Sequence, residues 1–255
     1  MSAISVCRAW AKRVFNALRP FPPGEGRRPT RGPMRLEKAF LRAGGVVDLA
    51  SEASWRALWA SKPRVVALDA EGTHFSPPLL VQVAYGEEGR VLLDVPGHSI
   101  VGAQLRRLLA DESITKVFFG PPSSENLGVK MANVVDVQKV AHAAAGDRKP
   151  GHLPSLTAAA GALTHPTGLV KNVKLQRSFR FYKRRPRGYG WLSKEVKLYS
   201  AADAWATLEL YNALRRTDPA CLDAHTTTGA AQLITNKRHR RKGRKKAQAA
   251  NAASS

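Results

Sequence analysis

The chain of 255 residues is 44% hydrophobic, which is enough for one substantial domain with its own core. Cys7 and Cys221 lie far apart and show no paired spacing, and no apolar run is long enough to span a bilayer, so we expect neither a disulfide-stapled domain nor a membrane partner. The formal net charge of +22 favours a polyanionic partner, with nucleic acid ranked ahead of basic tails that have no fixed partner.

The positive charge is concentrated in three segments. Residues 1–43 carry ten Lys and Arg against two Glu, and residues 171–187 and 237–246 each carry eight with no acid. The remaining sequence is close to neutral. Cations clustered in separate runs suit contacts with several phosphate groups. The sequence therefore predicts an otherwise near-neutral domain with one internal basic segment and with basic N- and C-terminal extensions.

The first 24 residues are basic and contain no acidic residue. On a helix, Val6, Trp10, Val14 and Leu18 would recur at i+4 and share one side. This pattern is typical of a mitochondrial presequence, and the alternative is a basic arm that the mature protein retains. We therefore expect a location in the mitochondrial matrix, with residues 1–43 forming a presequence and a Pro- and Gly-rich linker.

Residues 44–217 show the apolar patterns of one folded domain, and residues 218–255 form a basic, low-complexity tail. Ser51 is a candidate helix N-cap, and Gly86 to Gly89 indicates a hairpin turn. A hairpin followed by alternating strands and helices predicts an α/β fold with a mixed β-sheet flanked by α-helices. Strands are predicted at 46–49 (a short strand or a lead-in), 65–69, 79–85, 90–95, 115–119 and 134–135, and helices at 51–60, 100–110, 137–145, 153–162 and 192–216.

Two carboxylates, Asp69 and Glu71, lie in the predicted strand segment VVALDAEG. Their i, i+2 spacing puts both side chains on one face of the strand. Adjacent acids repel each other unless a cation lies between them, so the pair is a candidate ligand set for a divalent metal ion. The alternative is a pair of solvent-facing acids at a strand end.

Tyr199 and Asp203 form a second candidate pair, in the segment YSAAD of the last predicted helix. Their i, i+4 spacing places them on one helix face, and the small residues between them allow another element to approach closely. The alternative is two surface residues on an amphipathic helix whose apolar face is made by Leu208, Leu210 and Leu214.

The chain resembles the tyrosine subclass of the DEDD exonucleases over about residues 46–216, in the segments VVALDAEG, LLVQVAYGEEGRVLLDV, KVFF, NVVDVQKVA and LYSAADAWATLELYNAL. That family includes ribonuclease D and the nuclease-like domain of Egalitarian-type proteins. The resemblance implies a ribonuclease H-like fold and two-metal hydrolysis with Mg²⁺ or Mn²⁺. By the same resemblance, Asp69 would bridge both ions, Glu71 and Asp203 would complete the shell of one, and Tyr199 would orient the attacking water.

The family places a fourth carboxylate, an Asp, shortly after the KVFF-type strand, but that position holds Ser124 here. Either the neighbouring Glu125 replaces it through its longer side chain, or the second metal site is lost and the domain binds nucleic acid without cutting it. A hydroxyl is a poor ligand for Mg²⁺. Asp136 matches a position outside the metal ligands, so it does not fill this gap.

The basic run at 170–191 interleaves cations with aromatic residues. This composition suits backbone neutralisation together with stacking on unpaired bases, and the alternative is a solvated loop whose aromatics pack on the core. The basic run in the tail predicts further RNA contacts or, instead, a nuclear or nucleolar signal. The predicted RNA-binding residues are Lys171, Lys174, Arg177, Arg180, Lys183, Arg184, Arg185, Arg187, Lys237, Arg238, Arg240 and Arg241.

Two functions compete at this point. The first is a metal-dependent exonuclease that hydrolyses single-stranded RNA from its 3′ end, and the retained Asp69, Glu71, Tyr199 and Asp203 favour it. The second is a catalytically degenerate exonuclease fold that binds structural rRNA in a large ribonucleoprotein such as the mitochondrial ribosome. The missing Asp and the long basic extensions favour this second function. A third candidate, a nucleolar RNA-trimming factor, depends on the basic tail alone.

Overall fold

A computed structural model describes residues 33–72, 75, 77–96, 102–120, 127–144, 155–164, 168–179, 182, 186, 188–217, 219–224 and 226–227. No helix in these ranges is long and apolar enough to cross a bilayer. The strands are β1 (Met34–Arg35), β2 (Val46–Leu49), β3 (Val65–Glu71), β4 (Leu80–Tyr85), β5 (Arg90–Asp94), β6 (Thr115–Phe118), β7 (Val134–Asp136), β8 (Leu169–Val170) and β9 (Thr226–Thr227). The helices are α1 (Leu36–Arg42), α2 (Glu52–Ala60), α3 (Ala103–Ala110), α4 (Val137–Ala144), α5 (Leu156–Thr164), α6 (Val173–Ser178), α7 (Lys194–Thr217) and α8 (Pro219–Ala224).

Seven of the strands form one mixed sheet in the order β2-β5-β4-β3-β6-β7-β9. Strands β3, β4 and β5 are antiparallel neighbours, whereas β2 pairs in parallel with β5, and β6 and β7 continue in parallel from β3. Strand β9 closes the far edge in the antiparallel direction, and β1 and β8 form a separate parallel pair. Because β3 has a partner on each side, the positions of its side chains are well defined.

The two faces of the sheet bury separate hydrophobic clusters, as the alternation within β3 shows. Val66 and Leu68 belong to the cluster under α2 and α3, and Ala67 belongs to the cluster under α1, α4, α5 and α7. Phe40 of α1 packs against Trp205 of α7, with ring centroids 5.8 Å apart. Burial of such side chains is the main favourable contribution to the stability of a domain of this size.

The local sequence explains where helix α2 begins and ends and where the β4–β5 hairpin turns. Ser51 begins α2 with a capping box, in which its side chain accepts from Ser54 N and the Ser54 side chain accepts from Ser51 N. The helix ends at Ala60, and Lys62 then takes a left-handed conformation with φ of 47°. The β4–β5 hairpin turns at Gly86 and Gly89, whose φ values of 70° and 66° favour glycine.

The α/β fold with a mixed sheet flanked by helices is confirmed, and its main elements lie within a few residues of the predicted ones. The structure adds β1, β8, β9, α1, α6 and α8, which the sequence analysis did not predict, and α8 and β9 lie in the segment assigned to the tail. Of these, α1 lies in the segment assigned to the linker, yet Leu36, Ala39 and Phe40 are buried at its contact with α7. Its seven residues span only two turns, too few to show a clear apolar period.

Candidate active site

Strand β3 carries Asp69 and Glu71 to the face of the sheet that α7 covers. The two residues continue the alternation of Val65 and Ala67, whose side chains pack in the α7-side cluster. Near its end β3 leaves the apolar part of the core, and both acids are only partly buried. The i, i+2 spacing therefore delivers two carboxylates to one place, as predicted.

Helix α7 brings Tyr199 and Asp203 over this end of β3. Its buried alanines include Ala201, Ala202 and Ala206, each at most 1% exposed, and their small side chains let the helix axis approach the sheet closely. Tyr199 and Asp203 are themselves 2% and 1% exposed. A pair of surface residues on an amphipathic helix is thereby excluded.

The acids of β3 and α7 form a compact cluster. Asp69, Glu71 and Asp203 each offer a carboxylate oxygen within 4.8 Å of the other two. Burial raises the pKa of all three carboxyls, to about 7 for Asp203, and repulsion from Asp69 and Asp203 raises the pKa of Glu71 further. Oδ1 of Asp203 is buried and has no hydrogen-bond partner in the described part of the chain. Such a cluster fits a divalent cation, which would neutralise the negative charges of the carboxylates and accept Oδ1 of Asp203 as a ligand.

Lys171, predicted to bind RNA, lies within this acidic cluster. Its Nζ donates a hydrogen bond of 2.7 Å to Oδ2 of Asp203 and lies 5.9 Å from the centre of the Tyr199 ring. Burial alone would lower the pKa of Lys171, but the attraction of Asp203, Asp69 and Glu71 outweighs it and holds the pKa above its usual value. The sequence showed that Lys171 is part of a basic run, but it did not show that Lys171 contacts acidic residues, because Asp203 is 32 residues further along the chain.

Tyr199 packs against Phe179, an aromatic residue of the basic run. Phe179 is 2% exposed, and its ring centroid lies 6.4 Å from that of Tyr199 and 6.1 Å from that of Trp191. Burial and the nearby carboxylates, first Asp203, raise the pKa of Tyr199 well above its usual value, so its hydroxyl stays protonated at neutral pH. Phe179 thus packs on the core, as the alternative interpretation of the basic run expected, and is not exposed for base stacking.

Gln82 is a further polar residue of the site, and the sequence analysis did not single it out. It lies opposite Asp69 in the β3–β4 register, is completely buried, and has no hydrogen-bond partner for Oε1 or Nε2 among the residues described. A buried amide without partners beside a carboxylate cluster is available to a bound water or ligand. The signal in the sequence was one amide inside the otherwise apolar strand LVQVAY.

The carboxylate of Asp136 is used for local structure. Its Oδ1 accepts from Gly120 N at 3.1 Å and from Gln138 N at 3.0 Å, which caps α4 and ties it to the end of β6. This agrees with its expected place outside the metal ligands. Ser124 and Glu125 lie outside the described residues, so both explanations of the missing fourth carboxylate stay open.

The described part of the basic run also contains Lys174 and Arg177, which are exposed on α6 beside the segment that carries Lys171. They are available to a polyanion approaching from solvent. The other predicted RNA-binding residues lie outside the described part of the chain: Arg180, Lys183, Arg184, Arg185, Arg187, Lys237, Arg238, Arg240 and Arg241.

Solved structures of ribonuclease D have a similar fold. Ribonuclease D of Trypanosoma brucei superposes with a TM-score of 0.52 at 20% identity, covering 66% of this chain and 64% of that one. Its complex with RNA U12 gives 0.52 at 18% identity, with 74% and 70% covered. Escherichia coli ribonuclease D, described as an exoribonuclease involved in structured RNA processing, gives 0.50 at 20% identity, with 70% and 48% covered.

This chain therefore covers only 64% of the first Trypanosoma brucei ribonuclease D chain and 48% of the Escherichia coli one. No curated protein matches the sequence significantly. A family model described as 3′–5′ exonuclease matches residues 48–217, which run from β2 through the end of α7 and include all three clustered carboxylates. With this match over most of its length, the chain belongs to the 3′–5′ exonuclease family.

Proposed function

We propose that the protein is a metal-dependent 3′–5′ exonuclease that hydrolyses single-stranded RNA. The observation that carries the proposal is the convergence of Asp69, Glu71 and Asp203 within 4.8 Å, with Tyr199 one helical turn from Asp203. Three carboxylates from two elements, brought to one point beside a buried tyrosine, cost free energy to bury unless a cation compensates them.

The three carboxylates would hold Mg²⁺ or Mn²⁺, hard cations that prefer oxygen ligands. When bound, such ions supply Lewis acidity for an attacking water and neutralise charge on the leaving 3′ oxygen. Asp69, Glu71 and Asp203 would be the residues that hold the ion, since their carboxylate oxygens already lie within 4.8 Å of one another. Tyr199 keeps its proton at neutral pH, so its hydroxyl is a donor that can orient a water or a phosphate oxygen.

RNA as the substrate class is supported by charge and by the relatives. The net charge of +22 favours a polyanion, and Lys174 and Arg177 are exposed on α6 next to the segment that enters the site. The ribonuclease D structures include one with RNA U12 and one described as acting in structured RNA processing. For location, we propose the mitochondrial matrix, because the first 24 residues are basic and lack acids.

A second function is favoured by one observation. Lys171 places a positive charge where the carboxylates would otherwise need a metal ion, with Nζ 2.7 Å from Asp203. A cluster neutralised in this way suits a protein that binds RNA without cleaving it, for example as a structural component of a large ribonucleoprotein such as the mitochondrial ribosome.

The deciding experiment uses the full chain and a 5′-labelled single-stranded RNA with Mg²⁺ or Mn²⁺, beside Asp69→Ala. We expect a metal-dependent ladder of shortened products that the variant lacks, because Asp69 is one of the three carboxylates that would hold the metal ion. Tight, salt-sensitive RNA binding without any ladder would instead establish the binding function. The same protein fused to a fluorescent marker, with and without residues 1–43, tests the location, and nuclear or nucleolar signal from the intact chain contradicts the mitochondrial proposal.

A further inference from the structure

The lysine in the carboxylate cluster is held there by more than one contact. Nζ of Lys171 donates to Oδ2 of Asp203 at 2.7 Å and lies over the ring of Tyr199 at 5.9 Å from its centre. The side chain of Lys171 is 21% exposed and that of Asp203 is 1% exposed. An ion pair with one partner this deeply buried is screened weakly, and removing either member would leave the charge of the other uncompensated.

The backbone around Lys171 is fixed on both sides. Val170, just before it, pairs with Arg35 of β1, and α5 approaches β8 so closely that a Cβ on Gly161 would lie 2.9 Å from Leu169 N. Just after it, the Asn172 side chain caps α6 by accepting from Leu175 N. Lys171 thus enters the site from a short segment anchored at both ends.

The electrostatic balance of the site depends on this ammonium. Three carboxylate oxygens lie within 4.8 Å of one another, and Lys171 interacts favourably with all three acids. A divalent ion bound by the same oxygens would lie a few ångströms from the ammonium and be repelled by it. Its binding therefore requires either that Lys171 moves away or that the site accepts the repulsion.

We propose that Lys171 is a built-in cation of the carboxylate cluster, which competes with divalent metal ions for Asp203 and sets the metal concentration at which the site fills. This inference deepens the proposed function because it concerns the same site. In the metal-free protein, Lys171 keeps the acids together. Once the ion binds, the displaced ammonium is free to contact a phosphate of the RNA at the mouth of the site.

The test measures binding of Mn²⁺ alone to the full-length protein, by electron paramagnetic resonance of the free ion. Lys171→Gln removes the charge while its shorter side chain still carries a hydrogen-bond donor, so we expect its Mn²⁺ affinity to rise by at least about tenfold. Lys174→Gln removes the same charge from an exposed position of the same segment and should change the affinity by less than about twofold. Asp69→Ala gives the baseline for ions bound elsewhere.

Lys171→Met, which has no donor, is the second variant, and circular dichroism checks that both variants are folded. Equal Mn²⁺ affinities for the wild type, Lys171→Gln and Lys174→Gln would overturn the proposal, as would a loss of Mn²⁺ binding in Lys171→Gln. A gain of affinity in Lys171→Gln without any RNA ladder in the wild type would keep this inference and remove the exonuclease proposal. A ladder in the wild type together with unchanged Mn²⁺ affinities in the variants would keep the exonuclease proposal and remove this inference.

Discussion

Each face of the sheet buries a lysine, and the two lysines are accommodated in opposite ways. Lys116 of β6 is completely buried on the α2–α3 face, where Nζ donates to the backbone carbonyls of Asp111 and Ile114. Lys171 lies on the α7 face among Asp69, Glu71 and Asp203. One ammonium is satisfied by neutral oxygens and the other by carboxylates.

The pKa values of the two lysines follow this difference. Burial lowers the pKa of Lys116 to about 8, against weak opposition from Asp111 and Glu112, whereas the carboxylates raise the pKa of Lys171 above its usual value in spite of burial. Burying the charge of Lys116 therefore costs free energy, and its two hydrogen bonds offset part of that cost. The charge of Lys171 is needed, because without it three acids share one partly buried place.

The largest expected effect is that of Lys171→Met on the metal-free protein. Removing the cation leaves the acids uncompensated, and we expect the free energy of unfolding to fall by about 3 kcal/mol. Adding Asp203→Asn in the double variant removes one of the repelling charges and should recover about half of this loss. Urea unfolding in the presence of EDTA measures both. An unchanged stability of Lys171→Met would show that the acids do not need the lysine.

Lys116→Met should have a smaller effect, and it depends on pH. The pKa of Lys116 in the folded protein is about 8, below the usual 10.5. Between these two values the unfolded chain binds more protons than the folded one, so the contribution of Lys116 to the free energy of unfolding increases with pH. We expect the stability of the wild type to increase relative to Lys116→Met by about 2–3 kcal/mol from pH 8 to 10.5.

Lys171 does not add a pH dependence of its own to the stability between pH 8 and 10.5. A raised folded pKa means that its contribution is fully present below pH 10.5 and is lost only as pH rises beyond that value. Lys174→Met controls for the loss of a surface lysine. The free energy of unfolding of the wild type minus that of Lys116→Met should rise between pH 8 and 10.5. If this difference stays constant or falls, Lys116 is not buried as a charged group.

The smallest effect on stability is expected for Tyr199→Phe. The ring keeps its contacts with Phe179 and stays beneath Lys171, so the free energy of unfolding should change by less than about 1 kcal/mol. If the proposed function is right, the same variant should slow the shortening of labelled RNA, since the hydroxyl would be the group that orients a water or a phosphate oxygen. Thermal unfolding and the RNA assay separate these outcomes, and a large loss of stability would assign Tyr199 a structural role instead.

Much of the fold followed from short patterns, and the exceptions have clear causes. The apolar strands and the long helix α7 were predicted within a few residues, because periods of two and 3.6 residues are set by backbone geometry. Helices α1, α6 and α8 have only six or seven residues each, which is too short for a period to show. Their formation depends on packing, as with Phe40 against Trp205.

The sequence by itself determined that Asp69 and Glu71 share one strand face and that Tyr199 and Asp203 share one helix face, because both spacings are local. Only the tertiary structure decided how closely these faces meet and that Lys171 contacts Asp203 there. That arrangement requires β8 to pair with β1 and α5 to lie against β8. Contacts between residues so distant in the chain depend on the packing of the whole domain, which no local pattern contains.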